Sequence, residues 1–317
     1  MRVVTVDARA PEPDIIAEAV RVLRGGGLVA FPTETVYGLG ARALDGAAID
    51  RIFVAKGRPR SHPLIAHVEG EAQARTLARE WSERASALAR AFWPGPLTVV
   101  VPRAPVVPDA VTGGGDSVAV RAPAHPVAQA LLAALGEPIV APSANRYQAL
   151  SPTRAEHVVR SLGDADVLVL DGGSCSEGIE STVVDVRGSL PAILRLGSVS
   201  REQLARVLPD VILADTAVAQ GEQRASPGMD ARHYAPRAKL HVVADAEHAH
   251  ERLEALRREG HTVILATLPG RADVAARELY ALLHRLDAEG YAHIVIVRPP
   301  AGTEWEAIAD RLRRAAT

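Results

Sequence analysis

Apolar positions change period sharply between residues 15 and 31. Ile15, Ile16, Ala19, Val20 and Leu23 recur at helical spacing, Gly25, Gly26 and Gly27 stop the helix, and Leu28 to Phe31 form an unbroken apolar run. This predicts a helix, a stop and a buried strand. A second helix starts near Asp45, carries Ile49, Ile52 and Phe53 on one face, and delivers the chain to Lys56-Gly57-Arg58-Pro59-Arg60, where proline ends it. Short apolar runs at 64–68, 97–101, 117–121, 138–141, 167–171, 182–186 and 192–196 read as strands, with helical patterns at 71–91, 125–135 and 153–161 between some of them. Because not every pair of strands is separated by a helix, the sheet is predicted to be mixed. Ser200-Arg201-Glu202-Gln203 has the form of a capping box opening a further helix.

From 215 to 238 the periodicity is lost and Gly221, Pro227, Gly228 and Pro236 give the composition of a connector. Strands at 239–244, 262–267 and 293–297 then alternate with helices at 246–259, 272–289 and 304–315, the pattern of a small doubly wound unit. The predicted organisation is a first domain over 1–214, a linker over 215–238 and a C-terminal α/β domain over 239–317.

Composition sharpens this to an α/β class. Of the 317 residues, 48% are hydrophobic but only 3% aromatic, so the cores are built from Ala, Val, Leu and Ile. The formal charge of −2 gives no global attraction to a polyanion, so any nucleotide or RNA contact must come from a local basic cluster. Cys175 is the single cysteine, which excludes an internal disulfide or a thiolate metal cage. Neither a signal-peptide core nor an apolar run of membrane-spanning length occurs, so the expectation is a soluble cytoplasmic protein.

Three loops concentrate candidate chemistry. Pro32-Thr33-Glu34-Thr35-Val36-Tyr37-Gly38-Leu39-Gly40 follows a buried strand, where ligands sit in α/β sheets, although alone it also reads as an ordinary glycine turn. Lys56, Arg58 and Arg60 alternate through a Gly/Pro segment and can address one polyphosphate, or form a solvated cluster. Pro142-Ser143-Ala144-Asn145 offers a hydroxyl and an amide at a strand end, or a turn. Arg121 closes the run 117–121, a position suited to a substrate carboxylate. Walker, serine-elbow and His-Glu-x-x-His patterns are all lacking, and His248 and His250 read as surface residues.

Together these segments resemble the YrdC-like threonylcarbamoyl-AMP synthases, in the longer form with a small C-terminal domain. The resemblance rests on PTETVYGLG at 32–40, KGRPRSHPLIAHV at 56–68, SVAVR at 117–121, APSAN at 141–145, GIESTVVD at 178–185, LRLG at 194–197 and SPGMDARHYAP at 226–236, in the family's order. It implies a YrdC-like twisted mixed sheet with a Rossmann-like C-terminal unit. It also implies synthesis of threonylcarbamoyl-AMP from L-threonine, bicarbonate and ATP, for modification of tRNA adenosine. Lys56, Arg58, Ser143 and Asn145 would form the catalytic nucleotide-binding set. His62, Ser117, Ser151, Arg195 and Tyr234 would face ATP, and Thr35, His67, Arg121, Ser181 and the backbone at Ala141 would line the threonine site.

The resemblance implies Mg²⁺ entering with ATP, no protein-built metal site, and a downstream machinery that transfers the group to tRNA. Any direct tRNA contact would be weak. Two positions depart from the family pattern: His62, where asparagine is frequent, and Leu196, where proline usually follows the arginine. The connector, with Tyr234, is expected to act as a lid over ATP. Two other readings stay open, an RNA-binding translation factor without catalysis and a component of an O-carbamoyltransferase.

Overall fold

The computed structural model describes residues 1–214 and 234–316. The larger sheet contains β1 (Arg2–Thr5), β2 (Leu28–Phe31), β3 (Gly38–Arg42), β4 (Ile65–His67), β5 (Leu97–Pro102), β6 (Ser117–Arg121), β7 (Ile139–Val140), β8 (Val167–Asp171), β9 (Thr182–Asp185), β10 (Ala192–Arg195) and β11 (Ile212–Leu213). Their order is β1-β8-β2-β3-β7-β4-β6-β5-β9-β10-β11. Parallel pairs such as β4 with β6 occur beside antiparallel pairs such as β5 with β6, so the sheet is mixed.

Where the structure departs from the sequence pattern, local chemistry explains it. The segment read as a loop after β2 turns back at once into β3, antiparallel to β2. Glycines hid this strand, yet the packing needs them: a Cβ on Gly40 would sit 2.7 Å from Phe31 Cε1 and 3.0 Å from Ile139 Cγ2. The helical pattern at 71–91 is two helices, Glu71–Leu77 and Glu83–Phe92, because Ser82 caps the second by accepting from the Ala85 amide. β1 and β11 were not anticipated; they are the two edge strands and almost wholly exposed, so burial imposes no apolar pattern on them. The capping box at Ser200 is present, with both reciprocal hydrogen bonds.

The C-terminal unit is a parallel three-stranded sheet of β12 (Lys239–Val243), β13 (Val263–Ala266) and β14 (His293–Val297), ordered β12-β14-β13. Strand alternation buries Val295 with the helix Ala246–Arg258 on one face. On the other face it buries Ile294 and Ile296 with Ala272–Glu289 and Glu306–Ala315. This second core also contains Val36, Leu150 and Ile179 from the larger unit, so the two units share one apolar interior. Among the described residues, no helix is long and apolar enough to cross a membrane.

Residues 215–233, which carry most of the predicted connector and its SPGMDARH residues, lie outside the described residues. The chain re-enters at Tyr234, whose φ is 63°, and the Ala235 amide donates to the Gln148 carbonyl at 3.0 Å.

Candidate active site

Strand ends and the loops that follow them converge on a partly open cavity with about 550 Å³ of empty space, counting its solvent-filled mouth. Nine of the fourteen candidate residues line it: Thr35, Arg58, His67, Arg121, Ala141, Ser143, Ser181, Arg195 and Tyr234. These include every residue assigned to threonine. They come from seven segments of sequence, and the sheet order explains why they meet. β4 sits between β7 and β6, so His67 at the end of β4 lies beside Arg121 at the end of β6 and Ile139 of β7.

Arg121 is buried and already engaged. Its guanidinium donates to Glu34 Oε1 at 2.6 Å, to Thr35 Oγ1 at 2.8 Å and to the Gly95 carbonyl at 3.2 Å. The sequence singled out Arg121 but not Glu34, which neutralises it from inside the same motif as Thr35. Among the described residues three of its five N–H groups are used, which leaves one on each terminal nitrogen for a carboxylate.

Opposite, Arg195 donates to the Ser181 carbonyl at 2.9 Å and to Ser181 Oγ at 3.0 Å, and Ser181 Oγ shares a hydrogen bond with Thr98 Oγ1 at 2.7 Å. Arg195, assigned to ATP, therefore stands directly against a residue assigned to threonine. The LRLG turn approaches GIEST so closely that a Cβ on Gly197 would lie 2.3 Å from the Glu180 carbonyl oxygen, which only glycine permits.

The catalytic set is arranged around Lys56. This lysine ends the helix Gly46–Lys56, whose C-cap Gly57 has φ 62°. Its ammonium is buried and donates to the carbonyls of Ser143 at 2.6 Å and Asn145 at 2.5 Å. Burial, and then the charge of Arg58, pull its pKa well below the usual lysine range. Arg58 turns into the cavity, donating to the Pro63 carbonyl at 3.1 Å with its guanidinium 6.0 Å from the Tyr147 ring. Asn145 donates through its amide nitrogen to the Arg146 and Ala149 carbonyls, while its buried Oδ1 has no partner among the described residues. Such an acceptor is costly to leave dry and marks a place for a ligand donor or water.

Arg60 does not join this cluster. It is exposed and pairs with Asp50 at 2.9 Å, so the three alternating cations do not address one polyphosphate. With only Gly57 and Pro59 between them, the sequence could not show that Lys56 and Arg58 turn inward and Arg60 outward.

Lys56 and the other four candidates lie outside the cavity lining. Asn145 is behind Ser143, and His62 packs edge-on against Tyr147 with ring centroids 5.3 Å apart. Ser117 begins β6, about 13 Å along the strand from Arg121. Ser151 lies behind the wall and donates to Glu180 Oε1 at 2.5 Å. Glu180 itself lines the cavity and was not singled out from sequence. Its burial raises its proton affinity, but Arg311 and Arg195 outweigh this and hold it below the usual carboxylate range. With four guanidiniums (Arg58, Arg121, Arg195 and Arg311) against Glu34 and Glu180, the site is a cationic concavity in a chain of net charge −2.

The buried imidazoles are not poised as bases near neutrality. Burial, then the Arg121 charge, push His67 down to about 3, and its Nδ1 is buried without a partner among the described residues. His157, stacked on His284 at 3.9 Å, is also lowered to about 3, chiefly by burial. Cys175 is buried and its thiol pushed up, an inert state. His248 and His250 are exposed on a C-terminal helix, as expected.

A stability prediction follows from the two buried imidazoles. The unfolded chain protonates them near 6.5, whereas the folded protein takes up those protons only near 3. Their contribution is complete above pH 6.5 and declines as pH falls from there toward 3. Thermal melts from pH 7.5 to 4.5 are expected to show a falling midpoint, with a shallower slope in His157→Phe. A flat profile in the parent protein would mean these histidines are not held neutral.

Comparison with known proteins agrees with this geometry. Residues 21–197 match the family described as "Telomere recombination", and residues 199–317 match "Threonylcarbamoyl-AMP synthase, C-terminal domain". The chain is 40% identical over 314 residues to a threonylcarbamoyl-AMP synthase of Pyrococcus abyssi (strain GE5 / Orsay), covering 94% of this chain and 92% of that protein. It is 37% identical over 335 residues to the threonylcarbamoyl-AMP synthase of Bacillus subtilis (strain 168), covering 99% and 96%. The crystal structure of P. abyssi Sua5 complexed with L-threonine superposes with a TM-score of 0.93 at 38% identity, covering all of this chain and 98% of that one. With both family regions present in order and the whole fold matched, the chain belongs to the threonylcarbamoyl-AMP synthase family in its two-domain form.

Proposed function

We propose that the cavity seats L-threonine and ATP side by side and joins them, through bicarbonate or CO2, into threonylcarbamoyl-AMP and pyrophosphate for threonylcarbamoyl modification of tRNA adenosine. The observation that carries this reading is the convergence of an incompletely used Arg121 fork, the hydroxyls of Thr35 and Ser181, and the guanidiniums of Arg58 and Arg195 on one cavity. The fork takes the amino-acid carboxylate, and the hydroxyls meet the threonine side chain. The threonine amine combines with CO2 to give a carbamate, releasing a proton. A carbamate oxygen then attacks the α-phosphorus and pyrophosphate departs.

Positioning and charge neutralisation drive this chemistry, which needs no strong protein base. Arg58 and Lys56 offset phosphate charge, and the Asn145 amide oxygen accepts from a nucleotide hydroxyl or amino group. Magnesium enters with the triphosphate. Glu34 and Glu180 are taken up by Arg121 and Arg311, so phosphate oxygens and water supply its ligands.

The test is incubation with ATP, Mg²⁺, bicarbonate and L-threonine, with mass spectrometry for the adenylate and a pyrophosphate assay, each reactant omitted in turn. Product that requires all four is expected. Folded protein giving none, but binding RNA with steep salt dependence and indifference to threonine, would favour the translation-factor reading instead. Serine is expected to react more poorly by about 1–3 kcal/mol in kcat/KM, the worth of one methyl group. Equal efficiency of the two amino acids would remove the methyl contact from the specificity argument.

A further inference from the structure

Arg311, in the C-terminal helix Glu306–Ala315, is 1% exposed and reaches out of its own unit into the wall of the cavity. Its Nε donates to Glu180 Oε2 at 2.7 Å and a terminal nitrogen donates to the Leu196 carbonyl at 2.8 Å. Residues 180 and 196 are the chain neighbours of Ser181 and Arg195, which are hydrogen-bonded to each other at the start of β9 and the end of β10. One guanidinium thus fastens the two backbone segments whose side chains form this wall. It also lies 4.9 Å from the ring centroid of Tyr234, another wall residue.

Arg311 is supported on both sides. The Tyr280 hydroxyl lies 3.1 Å from Glu180 Oε2 and 3.2 Å from Oε1, while Ser151 donates to Oε1, so the carboxylate has partners from both units. Asp310 Oδ2 accepts from Arg311 at 3.0 Å. The units also meet through backbone at Gly178, φ 75°, where a Cβ would lie 2.4 Å from the Cα of Arg277. A docking surface needing only adhesion would do without a buried charged pair in the cavity wall, since apolar residues of the same volume hold domains together at least as well. An ion pair fixes direction and distance, which is what a wall of hydrogen-bonding groups requires.

We propose that Arg311 is a positioning residue of the active site, and that the C-terminal unit acts in the reaction by holding Glu180 and Leu196 so that Ser181 and Arg195 face the substrate. The Leu196 departure fits this role, because the bond is made to its carbonyl, which a proline would equally supply. The assignment of Ser181 and Arg195 to substrate rests on the reading above, and the test separates the two.

The variants are Arg311→Met, Arg311→Lys and the double Glu180→Gln/Arg311→Met in the full chain. The readouts are calorimetric titration with L-threonine, KM and kcat for each substrate, and hydrogen exchange of backbone amides at 181–184. In Arg311→Met, the dissociation constant and KM for threonine are expected to rise at least tenfold at unchanged binding stoichiometry, with amides 181–184 exchanging at least tenfold faster than in the parent. Arg311→Lys should recover part of both. The double variant, relieved of an unpaired buried carboxylate, should regain thermal stability but not threonine affinity.

If Arg311→Met does not fold, the double variant carries the test. Full threonine affinity and unchanged exchange in a folded variant lacking Arg311 would overturn the proposal, leaving the residue a structural tie. A parent protein that binds no threonine would sink the substrate reading instead, and the exchange rates would still decide whether Arg311 holds the wall.

Discussion

Arg58→Ala is expected to lower turnover by about 10²–10³-fold, the usual effect of deleting one pre-aimed charge in a transition state, while shifting the melting midpoint by only a few degrees. Arg58 donates to the Pro63 carbonyl and lies 6.0 Å from the Tyr147 ring, and its guanidinium faces the cavity rather than the core. Lys56→Ala should behave differently, although the sequence treats the two cations alike. It strips buried carbonyls of Ser143 and Asn145 of a charged donor, at about 1–3 kcal/mol for each group left unsatisfied, so activity and stability fall together. Turnover assays paired with thermal melts distinguish these outcomes. Arg58→Ala with near-parental turnover would return that arginine to a surface role. The pH profile adds a signature: Arg58 contributes to the depression of Lys56, so its loss should raise the lysine pKa.

Arg121→Met carries the largest expected cost, because it abandons Glu34 in a buried site. Breaking one side of such a pair costs about 3–5 kcal/mol, and the variant is expected to be poorly folded or to melt much earlier. The informative protein is Glu34→Gln/Arg121→Met, which removes both charges. It should recover most of the stability while its KM for threonine stays at least about tenfold above the parental value, with the ATP requirement little changed. Steady-state kinetics with each substrate varied at saturation of the other provide the check. Equal effects on both KM values would contradict the assignment of Arg121 to the amino-acid carboxylate. Failure of the double variant to regain stability would mean that the bonds to Thr35 and Gly95 outweigh the charge pair.

Local chemistry was sufficient to predict much of this protein. Apolar period located the helix at 15–23 and the strand at 28–31, Ser200 and Gln203 announced a capping box that forms, and strict alternation after residue 238 disclosed a doubly wound unit. The five threonine-site candidates came from the family resemblance, with Arg121 alone pointed to a carboxylate by its own chemistry at a strand end, and all five line the cavity. What remained hidden depended on neighbours distant in sequence. β3 was concealed because its glycines are required by Phe31 and Ile139, a packing demand that carries no period of its own. Glu34 and Glu180 sat within recognised motifs, but a carboxylate becomes part of a site only when its partner is known. Those partners, Arg121 and Arg311, lie 87 and 131 residues away. Arg60 and Lys56 illustrate the same limit from the other side: four residues apart and alike in charge, one is solvated and the other buried. Residue type and period are set locally and can be read along the chain, whereas burial and charge pairing belong to the contacts that the sheet order brings together.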